Sequence, residues 1–395
     1  MEVTMEPDFT LMSESFSAVD DPRKPGMTTY SAQHLIFMTL CGLLCGCDTW
    51  VKIADHVNFR SHLFTERFGL KSTPSHDTFS RFFGMINTKQ FKQCFAEWVT
   101  RAYEGCYGKV VAIDGKAIQS NIKDVATRYI VSAFVAGDNI ILDQVVTDSK
   151  SNEITAVPDL LNSLNLEGAI VSMDAMGLQK KNIEHIVKKK ADYVIALKAN
   201  QGNLHAAVKD FFDEFTGPDS SRDSWERTYQ VHSHETVEKE HGRIETRRCT
   251  VTDYRLPLSE RADWSGLQTL VMIESTRDIK GVVSTERRYY VSSLEPDAVR
   301  HLEVIRSHWS IENSLHWVLD VVFKEDDCKI RDKAAAENLS IMRKCALTLV
   351  RSLSDKLGLS RRMHRASVDE DYLISMFGGV SRLLDTLQTQ KPADR

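Results

Sequence analysis

Three consecutive runs, KVVAID (109–114), RYIVSAFV (128–135) and NIILDQVV (139–146), decide the fold. Each is short, apolar and rich in β-branched residues, and AGDN (136–139) supplies a turn between the second and third. They read as three adjacent strands containing a hairpin. Outward from them, ITAVPDLLNSL (154–164) reads as a helix and GAIVSMDA (168–175) as a strand. LQKKNIEHIVKKK (178–190) follows as a helix and ADYVIALKAN (191–200) as a strand. A strand meander leading into helix–strand alternation predicts a mixed α/β sheet with parallel crossovers.

Residues 199–296 interrupt the alternation. HSHETVEKEHGRIETRRCTVTDY (232–254), LQTLVMIESTRDI (267–279) and ERRYYVSSLE (286–295) read as antiparallel strands with polar faces, hence a β-rich insertion. Helix returns from Asp297 to about Val322 and from about Lys333 to Leu357. On the amino-terminal side, residues 28–104 read as helix throughout, with starts near Ser31, Thr49, Pro74–Ser75 and Thr88. The expected organisation is an acidic arm (1–27), a small all-helical domain (28–104), an α/β domain (105–357, insertion 199–296) and a basic, then polar, tail (358–395).

With 42% hydrophobic and 27% charged residues, the chain is ordinary globular protein, not disordered, collagenous or coiled coil. Its 50 basic and 55 acidic residues give a net charge of -5, so only a local patch could argue for nucleic acid. The first ten residues carry no secretory pattern, and the apolar stretch Leu35–Cys47 is too short to span a bilayer. Eight cysteines without paired CxxC spacing fit reduced thiols rather than zinc. A cytoplasmic protein with no membrane partner is expected.

Asp114 closes the strand KVVAID and Asp174 closes AIVSMD. In open α/β sheets, ligands bind outside the carboxyl ends of strands. Either aspartate alone is equally a turn or cap residue; both together suggest a shared site. Glu312 is the third candidate. His308, Glu312, His316 and Asp320 are spaced by four and form one helical stripe beside an apolar stripe of Ile311, Leu315, Val318 and Val322. That stripe is also compatible with surface ion pairs. Three converging carboxylates repel one another, and a hard divalent cation relieves the repulsion. Oxygen ligands favour Mg²⁺ or Mn²⁺, and two such ions suit phosphodiester hydrolysis or strand transfer.

AIDGK (112–116), SMDAMGLQK (172–180) and HWSIENSLHWVLDVVFKEDDCKIR (308–331) resemble the insertion-sequence transposases of the DDE type, H-repeat-associated (ISAs) group. DDPRKPG (20–26) and PSHDTFSRFF (74–83) extend the resemblance upstream, over about nine-tenths of the chain. It implies an RNase H-like catalytic domain with a β-rich insertion before the last catalytic helix. It also implies Asp114, Asp174 and Glu312 as catalytic and metal-binding triad, double-stranded DNA with inverted-repeat ends and a target as substrate, and a homo-oligomer on that DNA. A broader branch of these enzymes places Tyr and Arg seven and four residues before the glutamate and Lys seven after it. Here those positions hold Ile305, His308 and Leu319, so hairpin chemistry tied to that signature is not implied.

From Lys329 to Arg365, ten Lys or Arg face three acids, a local charge of +7. Arg361, Arg362 and Arg365 within it are candidate phosphate contacts. Lys116 and Lys198 leave strands near the proposed site and could hold a scissile phosphate; Arg81, in a segment compatible with helix-turn-helix, could contact DNA. A domesticated DNA-binding copy that does not cut, and a stand-alone metal-dependent nuclease, remain alternative readings of the same residues.

Overall fold

Nine strands form a single sheet in a computed structural model that describes residues 10–24, 26, 28–103, 105–118, 128–147, 153–217, 226–240, 242–254, 264–353 and 355–378. They are β1 (Val110–Ile118), β2 (Arg128–Val135), β3 (Ile140–Thr147), β4 (Ile170–Met173), β5 (Asp192–Leu197), β6 (Val231–Glu240), β7 (Arg243–Thr252), β8 (Thr269–Ile279) and β9 (Val282–Ser292). The order across the sheet is β3-β2-β1-β4-β5-β9-β8-β7-β6. β1, β2 and β3 form the expected antiparallel meander, and β1, β4 and β5 run parallel. β9 then pairs antiparallel with β5, so the β-rich segment continues the central sheet.

That segment is not all strand. Gly202–Thr216 is a helix whose Leu204, Val208, Phe211, Phe212 and Phe215 are buried. Their spacing is helical, a signal that the surrounding polar residues obscured.

Among the described residues six helices precede the sheet: α1 (Thr10–Phe16), α2 (Ala32–Leu44), α3 (Trp50–Phe59), α4 (Ser61–Phe68), α5 (His76–Met85) and α6 (Thr88–Ala102). The side chains of Ser31, Thr49, Ser75 and Asn87 cap four of them by accepting from backbone amides. Phe79, Phe82, Phe83, Phe91, Phe95 and Trp98 are fully buried at the centre, and Trp50 stacks on Phe83 with centroids 5.0 Å apart.

α7 (Glu153–Ser163), α8 (Lys180–Lys188) and α9 (Gly202–Thr216) connect or follow the sheet strands. α10 (Ala298–His308) continues through a π-type turn at Glu312–His316 into α11 (Trp317–Val321). α12 (Lys333–Arg351) is buried along nearly its whole length and packs on α2, α5 and α6. A helix read from sequence as the end of the α/β domain therefore completes the core of the helical layer. The segment read as tail begins as helix too: α13 (Leu359–Val368), then helical residues 370–378 with buried Leu373, Met376 and Phe377. Residues 1–9 and 379–395 lie outside the described residues. No helix among the described residues is long and apolar enough to cross a membrane.

Candidate metal centre

The parallel ladder between β1 and β4 ends at Ile113 opposite Met173. Asp114 and Asp174 are the next residue on each strand, so both carboxylates leave the sheet where these two strands part. The sequence reading ended the first strand at Asp114. In the structure β1 runs on to Ile118, held by antiparallel pairs with β2 from Asp114–Ser132 to Ile118–Arg128. The parallel partner stops while the antiparallel partner continues, and the crevice opens between them. Asp174 Oδ1 accepts from the Met176 amide at 2.8 Å, capping a short turn at Ala175–Gly177. Gly177 is required there, because a Cβ would lie 2.7 Å from Met173 Cβ.

The helical arm comes from the opposite side. Asp297 caps α10 by accepting from the amides of Val299 and Arg300. Ile311, Leu315, Val318 and Leu319 bury one face, so the helix is seated by apolar packing. At Glu312 the backbone widens into the π-type turn, a feature frequent at functional sites. Glu312 is half exposed toward the crevice, whereas His316 is buried. His316 Nδ1 lies 3.3 Å from Glu312 Oε2 and 3.8 Å from Asp114 Oδ2. His308 Nδ1 pairs with Ser172 Oγ of β4 at 3.1 Å, and burial lowers its affinity for a second proton.

These groups perturb one another. Burial, then the Glu312 and Asp174 carboxylates, push the Asp114 carboxyl up to about 8. Glu312 moves the other way, held below its ordinary range chiefly by the hydrogen bond to His316. Asp114, the deeper of the pair, keeps the proton that like charges cannot both shed. A buried carboxyl raised this far for want of a counter-charge fits a divalent cation. So does the donor set: Asp114, Glu312 and His316 offer ligand atoms all within 4.8 Å of one another. Asp174 faces the same cleft of about 380 Å³, together with Lys198, Arg288 and Trp309.

The three expected acids thus line one cleft. His316 entered the sequence reading only as part of a stripe; its spacing of four from Glu312 was the available signal. The expected cations are scattered. Lys198 is exposed on the cleft wall. Lys116 is 9% exposed and its ammonium contacts Asp320, with Glu325 at 3.2 Å and Asp326 at 3.6 Å. Arg81 is 78% exposed on α5, with Asp77 at 4.0 Å. Arg361 is exposed on α13. Arg362 donates to Asp355 and to the carbonyls of Val350, Leu353 and Asp355. Arg365 pairs with Asp369 and lies over the Tyr372 ring. Two more of the ten cations counted in that run, Arg343 and Lys344, are buried.

Two family models match the chain: "DDE_Tnp_1-associated" over residues 13–99 and "Transposase DDE domain" over residues 107–349. Among curated relatives, "Putative transposase YncI" of Escherichia coli O157:H7 is 36% identical over 379 residues, covering 93% of this chain and 94% of the relative. "H repeat-associated putative transposase YhhI" of Escherichia coli (strain K12) is 35% identical over 384 residues, covering 93% and 98%.

Proposed function

The chain belongs to the H-repeat-associated DDE transposases, and on that premise we propose that it cuts DNA at insertion-sequence ends and joins the freed end to target DNA. Asp114, Asp174 and Glu312 are the catalytic and metal-binding carboxylates, on an RNase H-like reading of the sheet. The observation that carries this is the meeting in one cleft of a helical glutamate with Asp114 and Asp174, each just past the end of the parallel β1–β4 ladder, the deepest carboxyl raised to about 8.

The residues would hold Mg²⁺ or Mn²⁺, two ions in this reading, with His316 beside them. The chemistry supplied by such ions is activation of the attacking oxygen and charge relief on the leaving oxygen. In the first step water attacks phosphorus and the P–O3′ bond breaks, leaving a 3′-hydroxyl and a 5′-phosphate. In the second that 3′-hydroxyl attacks a target phosphodiester and releases a target 3′-hydroxyl. No protein nucleophile is consumed. Lys198 and Arg288, on the cleft wall, orient the phosphate. Arg81, Arg361 and Arg365 hold the duplex backbone at a distance from the reacting atoms, and two protomers bring paired inverted-repeat ends together in the cytoplasm.

Glu312→Gln tests the reading in paired binding and nicking assays on an end-containing duplex with Mn²⁺. Ile311 and Leu315 keep the helix seated, so binding persists while nicking falls by orders of magnitude. Glu303→Gln, at a 59% exposed site paired only with Arg300 among the described residues, is the control and cuts as wild type. Cleavage at the wild-type rate by Glu312→Gln removes that residue from the centre.

A further inference from the structure

Below the metal centre lies a second ionic cluster that uses the same strand and the same helix. Asp114 and Lys116 alternate along β1 and so share a face. His316 and Asp320 are one α-turn apart on the facing helix. Two residues of strand advance about 6.6 Å and four of helix about 6 Å, so the pairs meet as successive rungs. The upper rung is Asp114 with Glu312 and His316; the lower is Lys116 with Asp320.

The lower rung is anchored from behind. After α11 the chain turns back through Lys324, at φ 53°, and the Glu325 amide donates to the Leu319 carbonyl at 3.0 Å. That turn drives Glu325 inward, where it is 1% exposed and 3.2 Å from Lys116 Nζ. Ser340 Oγ of α12 donates to Glu325 Oε1 at 2.8 Å, and Lys344 Nζ donates to Ser340 Oγ at 3.2 Å. Lys116, Arg343 and Lys344 thus balance Asp320, Glu325 and Asp326 without any added ion. Among the described residues the upper rung has no comparable set of ion pairs: the group beside its acids is the His316 imidazole.

We propose that Lys116 and Glu325 are positioning residues that fix the register of the Glu312 helix against β1, and thereby hold Asp114 and Glu312 at the separation a shared cation needs. The ammonium of Lys116 is committed to this tie rather than to a scissile phosphate. The proposal rests on the metal-centre reading above, and its test keeps the two apart.

The measurement is Mn²⁺ binding to the full-length, metal-free protein, read as free Mn²⁺ by electron paramagnetic resonance, with thermal melting in chelator as the check of folding. Lys116→Met weakens Mn²⁺ binding about tenfold to hundredfold, the range typical of groups that orient metal ligands. Lys116→Arg, which keeps the charge, restores most of it. Asp320→Asn, at a side chain 28% exposed, weakens binding severalfold and decides the matter should Lys116→Met not fold. Glu312→Gln loses most binding. Wild-type affinity in folded Lys116→Met or in Asp320→Asn, or equal loss in Lys116→Met and Lys116→Arg, overturns the positioning role and leaves the metal centre standing. Absence of Mn²⁺ binding in the wild type, or unaltered binding in Glu312→Gln, overturns the metal centre and this inference with it.

Discussion

Replacing Glu325 with glutamine removes the anion at the heart of the lower ionic cluster while keeping a side chain of the same size. Burial alone would raise this carboxyl, but Lys344, Lys116 and Arg343, with the Ser340 hydroxyl, outweigh burial and draw it from 4.5 to about 2. Lys344, which burial lowers to about 8, still carries its proton at neutral pH. A depression of that size in the folded protein corresponds to roughly 3 kcal/mol of stability. An acid depressed on folding contributes fully above its unfolded value, here 4.5, and the contribution is lost as pH falls toward 2. Glu325→Gln is therefore expected to be less stable than wild type by roughly 3 kcal/mol at neutral pH, since it strands buried cations. The gap should close as pH falls through that window. Urea unfolding followed by tryptophan fluorescence, repeated from neutral pH downward, measures both quantities. A neutral-pH gap under roughly 1 kcal/mol, or one that persists unchanged in acid, refutes the assignment of an ionised network.

Two further outcomes follow from the same geometry. Gly177→Ala puts a methyl 2.7 Å from Met173 Cβ beneath the Asp174 turn; a loss of roughly 1–3 kcal/mol is expected, and an unchanged melting curve in chelator would show that the turn has room. Arg361→Glu should weaken DNA binding alike for all sequences and lower the salt slope by about one; binding titrations at several salt concentrations that return the wild-type slope place Arg361 off the DNA.

Much of the architecture was legible because it follows from local chemistry. Ser31, Ser75 and Asp297 announced helix starts through oxygens that accept from exposed backbone amides. The β-branched runs announced β1 to β5; Asp114 and Asp174 reach one cleft because the parallel β1–β4 ladder stops just before them, although β1 itself runs on to Ile118. What escaped depends on packing between distant segments. The cations of α12 were counted into a basic patch, yet Arg343 and Lys344 are buried because that helix is enclosed on several sides and Glu325 reaches it from another element. Charge counting along a sequence records sign but not depth. The helical stretch Gly202–Thr216 was masked by strands on its carboxyl side, although its apolar spacing was there to read. The π-type turn at Glu312 leaves no mark in a pattern of fours, since both turn types keep His316 near the glutamate.

The placement of α12 within the amino-terminal helices has a consequence for how the chain is made. Ala102 leaves the ribosome well before Lys333, with about 230 residues between them, which at roughly 5–20 residues per second is about ten to fifty seconds of synthesis. Throughout that interval Phe79, Phe83 and Phe91 lack one wall of their final enclosure, because α12, whose Asn338 side-chain amide donates to the Phe83 carbonyl, has not yet been translated. The helices that emerge before the sheet are thus among the last to close, and the nascent chain carries a patch of aromatic side chains that chaperones or its own later residues must cover.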